Sequence, residues 1–388
     1  MTLRNAIVIG AGIGGLTAAI TLARRGVAVT VVEQATAIRE AGAGLQISPN
    51  GLVVLRALGL ERGLRDKHAV EARAVVLRAF DGKGDVARLD LGRQDKEQRY
   101  LFVHRADLID LLAQAARREN VTLDLGVEVA EVIPGALPRL RTRDGQMRQA
   151  ELIIGADGIH SRARAALNGA DAAQFTGQVA WRATIPNVVN HPDEAHVTMG
   201  PGRHLVSYPL RGGTRINLVA VEERGAWAEE GWNHADAPAH LRAAFAAFGG
   251  QAAAMLDAVK DCTLWGLHRH PVAAKWESDG VALLGDAAHP TLPFLAQGAN
   301  MALEDAWVLA DALATQPINS ALRTYAARRT PRVTKVIAAA NRNAGRYHLQ
   351  PGPIRWAAHM GLRTVSRLAP GRMLGAFDWL YRHDVTRR

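Results

Sequence analysis

The sequence has one cysteine, no long apolar run and a shortage of acidic residues. A single cysteine, Cys262, excludes an intramolecular disulfide framework and any cysteine-rich metal site. No run of about 18 or more apolar residues, the length that a membrane span needs, is present. The N-terminus leaves no room for a signal peptide ahead of a motif near residue 10. We therefore expect a cytoplasmic protein with no metal and no membrane partner.

The shortage of acidic residues gives the chain a basic character. Lys and Arg number 47 against 37 Asp and Glu, a formal net charge of +10. The basic residues are scattered and no nucleic-acid-binding motif accompanies them, so we expect no nucleic-acid partner. We interpret the charge as positive potential over an anion-binding cleft. The length of 388 residues predicts two domains, or one large doubly wound fold with an inserted layer.

The opening of the chain predicts a βαβ unit with a dinucleotide fingerprint. A β-branched run, a helical pattern ending in Arg-Arg-Gly and a second buried strand follow one another over the first 33 residues. In this fingerprint Gly10 permits a tight turn, Gly12 lets a pyrophosphate approach and Gly15 lets helix and strand pack closely. Glu33 ends the second strand, where its carboxylate can accept hydrogen bonds from a ribose diol. The pattern predicts a dinucleotide, but it does not distinguish FAD from NAD.

A second Gly-Asp pair near residue 285 favours FAD. Gly285 and Asp286 end the strand-like run GVALLG, where open α/β sheets place their ligand-binding groups. There an aspartate can accept from ribityl hydroxyls or organise the pyrophosphate. Farther on, Gly298, Ala299 and Asn300 begin a long helix whose first N–H groups would face the reduced flavin, which carries negative charge. A ligand-free strand, loop and capped helix is the alternative for this segment.

The order of the strand and helix patterns along the chain predicts the fold class α/β. We expect a Rossmann-like FAD-binding domain with an inserted, mainly antiparallel β-sheet substrate domain and C-terminal helices. The predicted boundaries are residues 1–174 and 276–345 for the FAD-binding domain, 175–275 for the substrate sheet and 346–388 for the C-terminal helical segment.

Three motifs, taken together, resemble those of the group A flavoprotein aromatic hydroxylases. They are the glycine fingerprint at Gly10, GADGIHS at residues 155–161 and GDAAHP at residues 285–290. The stretches GAGLQISPN, YPLRGG and LAQGANMALEDA are most similar to the branch acting on salicylate, 3-hydroxybenzoate and 6-hydroxynicotinate. The resemblance implies a single-component enzyme that reduces FAD with NADH or NADPH. It further implies that oxygen is trapped as a flavin C4a-hydroperoxide and transferred to a small aromatic carboxylate.

The resemblance also implies roles for residues outside the glycine motifs. Arg105 is expected to contact FAD, and Asp157 is expected to serve both FAD and a transiently bound NADH or NADPH, with Arg164 assisting. From the residues alone, Asp157 and Arg164 are equally well interpreted as a structural pair near a helix start. No second dinucleotide fold is visible, so the nicotinamide donor is expected to bind briefly in a groove.

A histidine and a tyrosine in a predicted strand are the candidate catalytic residues. In RHLVSYPLRGG, strict alternation places His204 and Tyr208 on one face. A histidine is suited to activate a phenol near neutral pH. A lone strand histidine is usually structural, but the His-x-x-x-Tyr-Pro spacing is similar to that of the 3-hydroxybenzoate and 6-hydroxynicotinate hydroxylases, which favours catalysis.

The substrate pocket is predicted to include Gln46, Pro293 and Phe294. Pro293 and Phe294 occupy positions where the resembling enzymes carry a glutamine or a histidine. No polar side chain is therefore available there to bind a ring heteroatom or a distal hydroxyl, which favours a less polar substrate ring. Salicylate or another hydroxybenzoate is therefore the first candidate, with a 6-hydroxynicotinate-type substrate as the alternative. His289 is interpreted as structural.

Two other classes of function stay open. A flavin-dependent halogenase would share the nucleotide domain, although WRATIP has Trp181 without a second tryptophan. A non-catalytic FAD-binding protein is the other alternative. The sequence does not distinguish NADH from NADPH, a monomer from a homodimer, or simple from decarboxylative hydroxylation.

Overall fold

A computed structural model describes residues 3–38, 44–95, 97–169, 173–225 and 234–387. These residues form two large sheets, two small sheets and a set of helices that cover and connect them. The fold is α/β, with a Rossmann-like sheet and a mainly antiparallel sheet, as the sequence predicts.

Twenty strands are assigned within these ranges. In chain order they are β1 Asn5–Ile9, β2 Ala28–Glu33, β3 Gly44–Ile47, β4 Val70–Glu71, β5 Ala74–Ala79, β6 Asp85–Asp90, β7 Leu101–His104, β8 Thr122–Leu125, β9 Val129–Ile133, β10 Arg139–Thr142, β11 Met147–Gln149, β12 Leu152–Gly155, β13 Gln174–Pro186, β14 Glu194–Gly200, β15 Arg203–Leu210, β16 Arg215–Glu223, β17 His234–Asp236, β18 Cys262–Arg269, β19 Glu277–Ser278 and β20 Val281–Leu283.

The same described ranges contain twelve α-helices. They are α1 Ile13–Ala23, α2 Pro49–Ala57, α3 Glu61–Asp66, α4 Arg105–Arg118, α5 Arg162–Asn168, α6 Pro238–Ala244, α7 Gly250–Asp257, α8 Gly298–Thr315, α9 Ile318–Tyr347, α10 Pro353–Leu368, α11 Pro370–Gly375 and α12 Asp378–Tyr381.

The first large sheet is parallel apart from its edge strand. Its six strands run in the order β19-β20-β12-β1-β2-β8, and only the β19–β20 pair is antiparallel. The central strands are short β-branched runs buried on both faces, which is typical of a parallel sheet covered by helices. Because β20, β12 and β1 are neighbours, the three loops that follow them lie side by side at the carboxyl edge of the sheet.

The second large sheet has eight strands in the order β17-β18-β13-β16-β15-β14-β5-β6. The segment predicted as the substrate sheet, residues 175–275, supplies most of them, and its pairs are antiparallel. The sheet is larger than the predicted segment, since β5 and β6 join it from the predicted FAD-binding segment, β5 parallel to β14. The sequence of a short apolar strand does not determine which sheet the strand joins.

The eight-stranded sheet has two different faces. One face packs against α6 and α7 and carries large apolar side chains such as Trp181, Leu205 and Leu218. The other face carries the alternate residues, among them His204 and Tyr208, and it meets β3, β7 and the loop before α8. We call this second face the site face.

The C-terminal helices return the chain to the site face. Helix α9 packs along α8 and ends at Tyr347, and the next residue, His348, lies against β15. Helix α10 then packs on β6, with the Ser366 hydroxyl bonded to the backbone of Arg88. None of the helices in the described ranges combines the length and apolarity needed to cross a bilayer.

Candidate active site

The three loops at the carboxyl edge of the parallel sheet are in direct contact. Gly10 has φ +102°, and a Cβ there would lie 2.5 Å from the carbonyl oxygen of Ala156. A Cβ on Gly15 would lie 2.0 Å from the carbonyl oxygen of Gly10, so helix α1 and its strand could not approach as closely with a side chain. Gly12 differs from both, because nothing lies within 4 Å of its Cβ position. The open space at Gly12 is where a pyrophosphate could approach the backbone.

Glu33 lies at the end of β2, beside the first loop. Its carboxylate accepts hydrogen bonds from the backbone N–H of Ala11 at 2.7 Å and of Ala35 at 2.9 Å. The carboxylate therefore stabilises the fingerprint turn itself. Its contact with a ribose diol stays a prediction.

Asp286 and Arg105 are brought together although they lie far apart in the sequence. Asp286 follows β20 and is accessible from the cleft, and Arg105 is the first residue of α4. Burial by the surrounding protein raises the pKa of Asp286, while His289 and Arg105 act in the opposite direction. Arg105 therefore lies near enough to Asp286 to act on its charge, and the contact of each residue with FAD stays a prediction.

Asp157 holds the start of a helix. Its carboxylate accepts from the Ser161 hydroxyl at 2.5 Å and from the Arg162 N–H at 2.7 Å, at the beginning of α5. Burial raises the pKa of Asp157 despite these hydrogen bonds. Its predicted contacts with FAD and the nicotinamide donor remain predictions, and the geometry adds a structural role.

Arg164 joins the second and third loops. Its guanidinium donates to the carbonyl oxygens of Ala288 at 3.1 Å, Ala287 at 3.3 Å and Pro271 at 2.8 Å. The residue is buried and holds the turn that contains Asp286. Arg164 thus fixes the position of the third loop, which lines the cleft.

The N-terminus of α8 faces the cleft. The N–H of Met301 bonds to the carbonyl oxygen of Gln297 at 2.8 Å, which leaves the N–H groups of Gly298, Ala299 and Asn300 as the unsatisfied first turn. The Asn300 side chain is buried and accepts from the Ser48 N–H at 3.0 Å. The helix start is thereby fixed to the loop before α2, and the free amides can favour an anion.

Behind the third loop lies a buried group of charged residues that sequence reasoning missed. We call it the α8–α9 charge cluster; it consists of Glu304, Asp305, Arg329 and Arg332. Burial acts to raise the pKa of Asp305, but His289 and Arg329 together lower it to about 2. The available signal was the adjacent acids Glu304 and Asp305 within the mostly apolar helical segment ALEDAWVLADAL.

The charge cluster also holds the loop that carries Asp286. Asp305 accepts from the N–H of Gly285 at 3.0 Å and from His289 Nε2 at 2.5 Å. The His289 ring is fully buried and stacks on Trp276. These contacts agree with the structural interpretation of His289.

On the site face, His204 and Tyr208 project from β15 in the same direction. Both are buried, and both backbones pair with β16, opposite Val221 and Asn217. Burial, opposed by Arg182, raises the pKa of Tyr208 above its ordinary value. The phenol of Tyr208 is therefore neutral at physiological pH and can donate a hydrogen bond.

Arg182 is a site-face residue that sequence reasoning missed. It lies on β13 opposite Val219, which in turn lies opposite Val206 between His204 and Tyr208. Its guanidinium stacks on the Trp265 ring, 4.2 Å from the centroid. The alternation in WRATIP was the available signal, because it places Arg182 on the face opposite to Trp181.

Strand β3 closes the site over Tyr208. The N–H of Gly44 donates to Asn217 Oδ1 at 2.7 Å, and a Cβ on Gly44 would lie 2.6 Å from the Tyr208 ring. Gln46 is two residues farther along β3, and its side-chain oxygen accepts from the Tyr100 hydroxyl at 2.7 Å. The predicted contact of Gln46 with a substrate stays a prediction.

Phe294 forms the apolar wall of the site. It lies in a short 3-10 turn, Pro293–Leu295, and its ring centroid is 5.6 Å from that of His204. Phe294 also belongs to an apolar cluster with Trp265 and Val221 on the site face. The site therefore combines an apolar wall with a histidine, a tyrosine and an arginine.

The residues of the cleft fit FAD. Gly12 leaves open space beside the first loop, the first amides of α8 are unsatisfied, and Arg105 lies near enough to Asp286 to lower the pKa of its carboxyl group. This donor set suits a phosphate-containing cofactor with polyol and ring portions.

Comparison with known proteins agrees with this arrangement. Residues 4–340 match the family described as an FAD binding domain. The chain is 38% identical over 355 residues to the 3-amino-4-hydroxybenzoate 2-monooxygenase of Streptomyces cremeus, covering 89% of this chain and 88% of that protein. It is 32% identical over 401 residues to the 3-hydroxybenzoate 6-hydroxylase of Polaromonas naphthalenivorans, covering 98% and 96%.

A solved structure has the same overall fold. The Klebsiella pneumoniae protein HpxO, in complex with FAD and uric acid, superposes with a TM-score of 0.84 at 26% identity, covering 96% of this chain and 95% of that one.

Proposed function

The chain belongs to the group A FAD-dependent aromatic hydroxylases, and from that premise we propose that it hydroxylates a small phenolic acid of the hydroxybenzoate class. NADH or NADPH would serve as the electron donor and O2 as the oxygen source. The observation that carries the proposal is the composition of the site face. A base and a phenol, His204 and Tyr208, project from β15, and a guanidinium, Arg182, projects from β13, with only β16 between the two strands.

These three residues match the three parts of such a substrate. Arg182 would bind the carboxylate, since guanidinium and carboxylate form charge-assisted hydrogen bonds. His204 would accept the proton of the ring hydroxyl, because a phenol becomes a better nucleophile as it approaches phenolate. Neutral Tyr208 would donate a hydrogen bond to the ring substituents.

The remaining site residues would set the environment of the reaction. When bound, FAD would supply the activated oxygen for the ring. Phe294 and Trp265 would exclude water from the ring, and water exclusion strengthens the hydrogen bonds to the polar residues. Arg105, Asp286 and the start of α8 would hold the cofactor against the site face.

Among hydroxybenzoates, an amino-substituted ring is the first to test. Relatives at 34% to 38% identity are named 3-amino-4-hydroxybenzoate 2-monooxygenases. An amino group adds electron density to the ring and makes it a better target for oxygen transfer. The apolar Phe294 beside His204 offers no partner to a ring nitrogen, which favours a benzoate over a 6-hydroxynicotinate.

The geometry does not favour a halogenase. Trp181 lies on the face of β13 away from the site, where its indole N–H donates to Asp236 at 2.7 Å and its ring packs against Phe245. It therefore cannot contact a reagent on the site face.

A substrate panel tests the proposal. Purified holoenzyme is incubated with NADH or NADPH and with monohydroxybenzoates, amino-hydroxybenzoates and hydroxypyridine carboxylates, and products are identified by mass spectrometry. We expect hydroxylation of at least one hydroxybenzoate, seen as the mass of one added oxygen atom or as the decarboxylated counterpart. Scoring the product matters, because consumption of the donor alone also reports uncoupled peroxide formation.

The variant Arg182→Met, with Arg215→Met as its matched control, tests whether Arg182 binds the substrate carboxylate. We expect Arg182→Met to raise KM for the acid by about 10- to 100-fold, from about 1.5–3 kcal/mol for a hydrogen bond to a charged group. Arg215 is exposed at the start of β16, and its loss should leave KM unchanged. No hydroxylated product from any phenolic acid would refute the proposed function.

A further inference from the structure

A chain of hydrogen bonds leads from the buried site to the protein surface. His204 Nδ1 is 2.7 Å from His348 Nε2, and His348 Nδ1 is 2.7 Å from Glu223 Oε1. His204 is 2% exposed and His348 is 5% exposed, whereas the Glu223 side chain is 48% exposed. The three residues come from β15, the end of α9 and β16, so the connection exists only in the folded chain.

Glu223, at the surface end of the hydrogen-bond chain, fixes the tautomers of both histidines. An ionised carboxylate only accepts hydrogen bonds, so His348 must donate from Nδ1 to Glu223. Nε2 of His348 is then a bare acceptor, and His204 must donate to it from Nδ1. This leaves Nε2 of His204 with a lone pair. Within the described residues no hydrogen bond to this atom is present, so it is available to accept a proton.

The surroundings prevent His204 from keeping a proton. Burial, and then the neighbouring His348, hold the pKa of His204 well below its ordinary value. Burial also lowers the pKa of His348, with Arg203 adding to this effect and Glu223 opposing it. The rings of Phe294 and Tyr347 pack on His204, at centroid distances of 5.6 Å and 5.2 Å. A proton accepted by His204 must therefore move on.

We propose that His204, His348 and Glu223 form a proton relay that carries the hydroxyl proton of the substrate to solvent. The substrate O–H bond breaks and an Nε2–H bond forms on His204. His204 passes its Nδ1 proton to Nε2 of His348, and His348 passes its Nδ1 proton to Oε1 of Glu223, which releases it to water. One proton enters and one leaves, and no electrons are exchanged.

The relay assigns distinct roles to its members. His204 contacts the reacting hydroxyl, whereas His348 and Glu223 are positioning residues that act through it. The inference rests on the proposed function for the identity of the proton donor. The hydrogen-bond chain itself is independent of the substrate, and it can be tested without one.

The first experiment examines the tautomers in the holoenzyme without substrate. The protein is labelled with ¹⁵N-histidine, and ring nitrogens are assigned by comparison with His204→Gln and His348→Gln. We expect protons on Nδ1 and none on Nε2 for both histidines near neutral pH. Glu223→Gln should remove this preference, because an amide can either donate or accept. A proton on Nε2 of His204 would refute the relay.

The second experiment measures proton release when a hydroxybenzoate binds. Holoenzyme is mixed with the ligand in weak buffer containing a pH indicator, while the ultraviolet spectrum reports formation of phenolate. We expect Glu223→Gln and His348→Gln to slow release by about tenfold or more, with FAD content unchanged. Glu222→Gln is the matched control, because its side chain pairs with Arg203 and Arg224 instead.

Chemical rescue distinguishes the relay from a structural role. Imidazole added to His348→Ala should restore fast proton release, which a purely structural histidine would not show. Release from Glu223→Gln at the rate of the unaltered enzyme would overturn the relay. If no phenolic acid perturbs either the flavin or the ligand spectrum, the proposed function fails, and the tautomer experiment still decides whether the hydrogen-bond chain exists.

Discussion

Two regions of the molecule bury polar residues in different charge states. We call the six-stranded sheet with α8 and α9 the cofactor half, and the eight-stranded sheet with the end of α9 the substrate half. Behind the cofactor cleft, the α8–α9 charge cluster keeps Glu304, Asp305 and Arg329 ionised and paired with one another. Around the eight-stranded sheet, the buried polar residues include four histidines, His191, His196, His204 and His348, and the pKa of each of these four is lowered.

The difference follows from what each half has to do. Compensated charges hold a loop in one position, because removing either partner would leave a buried charge unpaired. Neutral histidines can accept a proton, so the substrate half contains side chains that can act as bases. The same histidines make the folded protein less stable at low pH. If the two halves differ in this way, four substitutions should have separate consequences, and we expect the loss of His204, the proposed base, to have the largest effect.

Removing the base of the substrate half should nearly abolish hydroxylation. His204→Ala should lower the rate of product formation by about 10²- to 10⁴-fold, the usual contribution of a general base. FAD content and reduction of the flavin by NADH or NADPH should be unchanged, since His204 lies on the sheet and not in the cofactor loops. Unaltered turnover would remove His204 from the chemistry.

Breaking the charge cluster of the cofactor half should destabilise the fold. Arg329→Met removes the buried guanidinium that Glu304 and Asp305 share, and the free energy of unfolding should fall by about 3–5 kcal/mol. Arg328→Met is the control, because its pair with Asp311 is 42% exposed on the arginine side and contributes at most about 1 kcal/mol. Urea titrations at one FAD concentration measure both, and equal losses would contradict the distinction.

The carboxylate at the cofactor cleft should matter for binding and not for folding. Asp286→Ala should raise the Kd for FAD by about 10- to 100-fold, from about 1.5–3 kcal/mol for a hydrogen bond to a charged group. Fluorescence titration of the FAD-free protein measures the Kd. A mutant that retains FAD as tightly as the unaltered protein would show that Asp286 does not contact the cofactor.

The neutral histidines should make the substrate half sensitive to acid. Burial, then His191 and Arg78, lower the pKa of His196 to about 3, with Glu194 opposing, whereas an unfolded histidine titrates near 6.5. The unfolded chain therefore binds more protons below about pH 6.5, and stability is lost as the pH falls from there towards about 3. At about pH 5.5 the loss is about 1.4 kcal/mol for such a histidine.

His196→Gln tests this assignment. The substitution should reduce the decrease in unfolding free energy between about pH 7.5 and pH 5.5 by about that amount, whatever it does to stability at neutral pH. Asp305 does not contribute in this window, because its pKa is about 2 in the folded protein and its ordinary value of 3.8 also lies well below pH 5.5. An unchanged pH slope would show that His196 is protonated in the folded protein.

Much of the cofactor half could be predicted from the sequence. The positions of Gly10, Gly12 and Gly15 follow from local requirements, a turn with positive φ, open space for a ligand and close helix packing, and each requirement leaves its mark on one residue. The family assignment, the FAD-binding domain and the α/β fold were predicted correctly from such motifs. The roles of the individual site residues stay predictions.

The substrate half was predictable only along single strands. Alternation placed His204 and Tyr208 on one face, because the side-chain period of a strand is local. It did not reveal that Arg182 shares that face, since the register between β13, β16 and β15 depends on pairings across many residues. The joining of β5 to β14 was missed for the same reason.

The sequence by itself determined the dinucleotide-binding turn, because such a turn is made by consecutive residues whose sterics can be read one at a time. Its three motifs, each also made of consecutive residues, together indicated FAD and the family. The tertiary structure alone decided which buried side chains became partners. Glu223 and His348 are 125 residues apart and meet only where the end of α9 lies on the sheet. A hydrogen bond between distant residues depends on the packing of whole elements, and no local pattern encodes it.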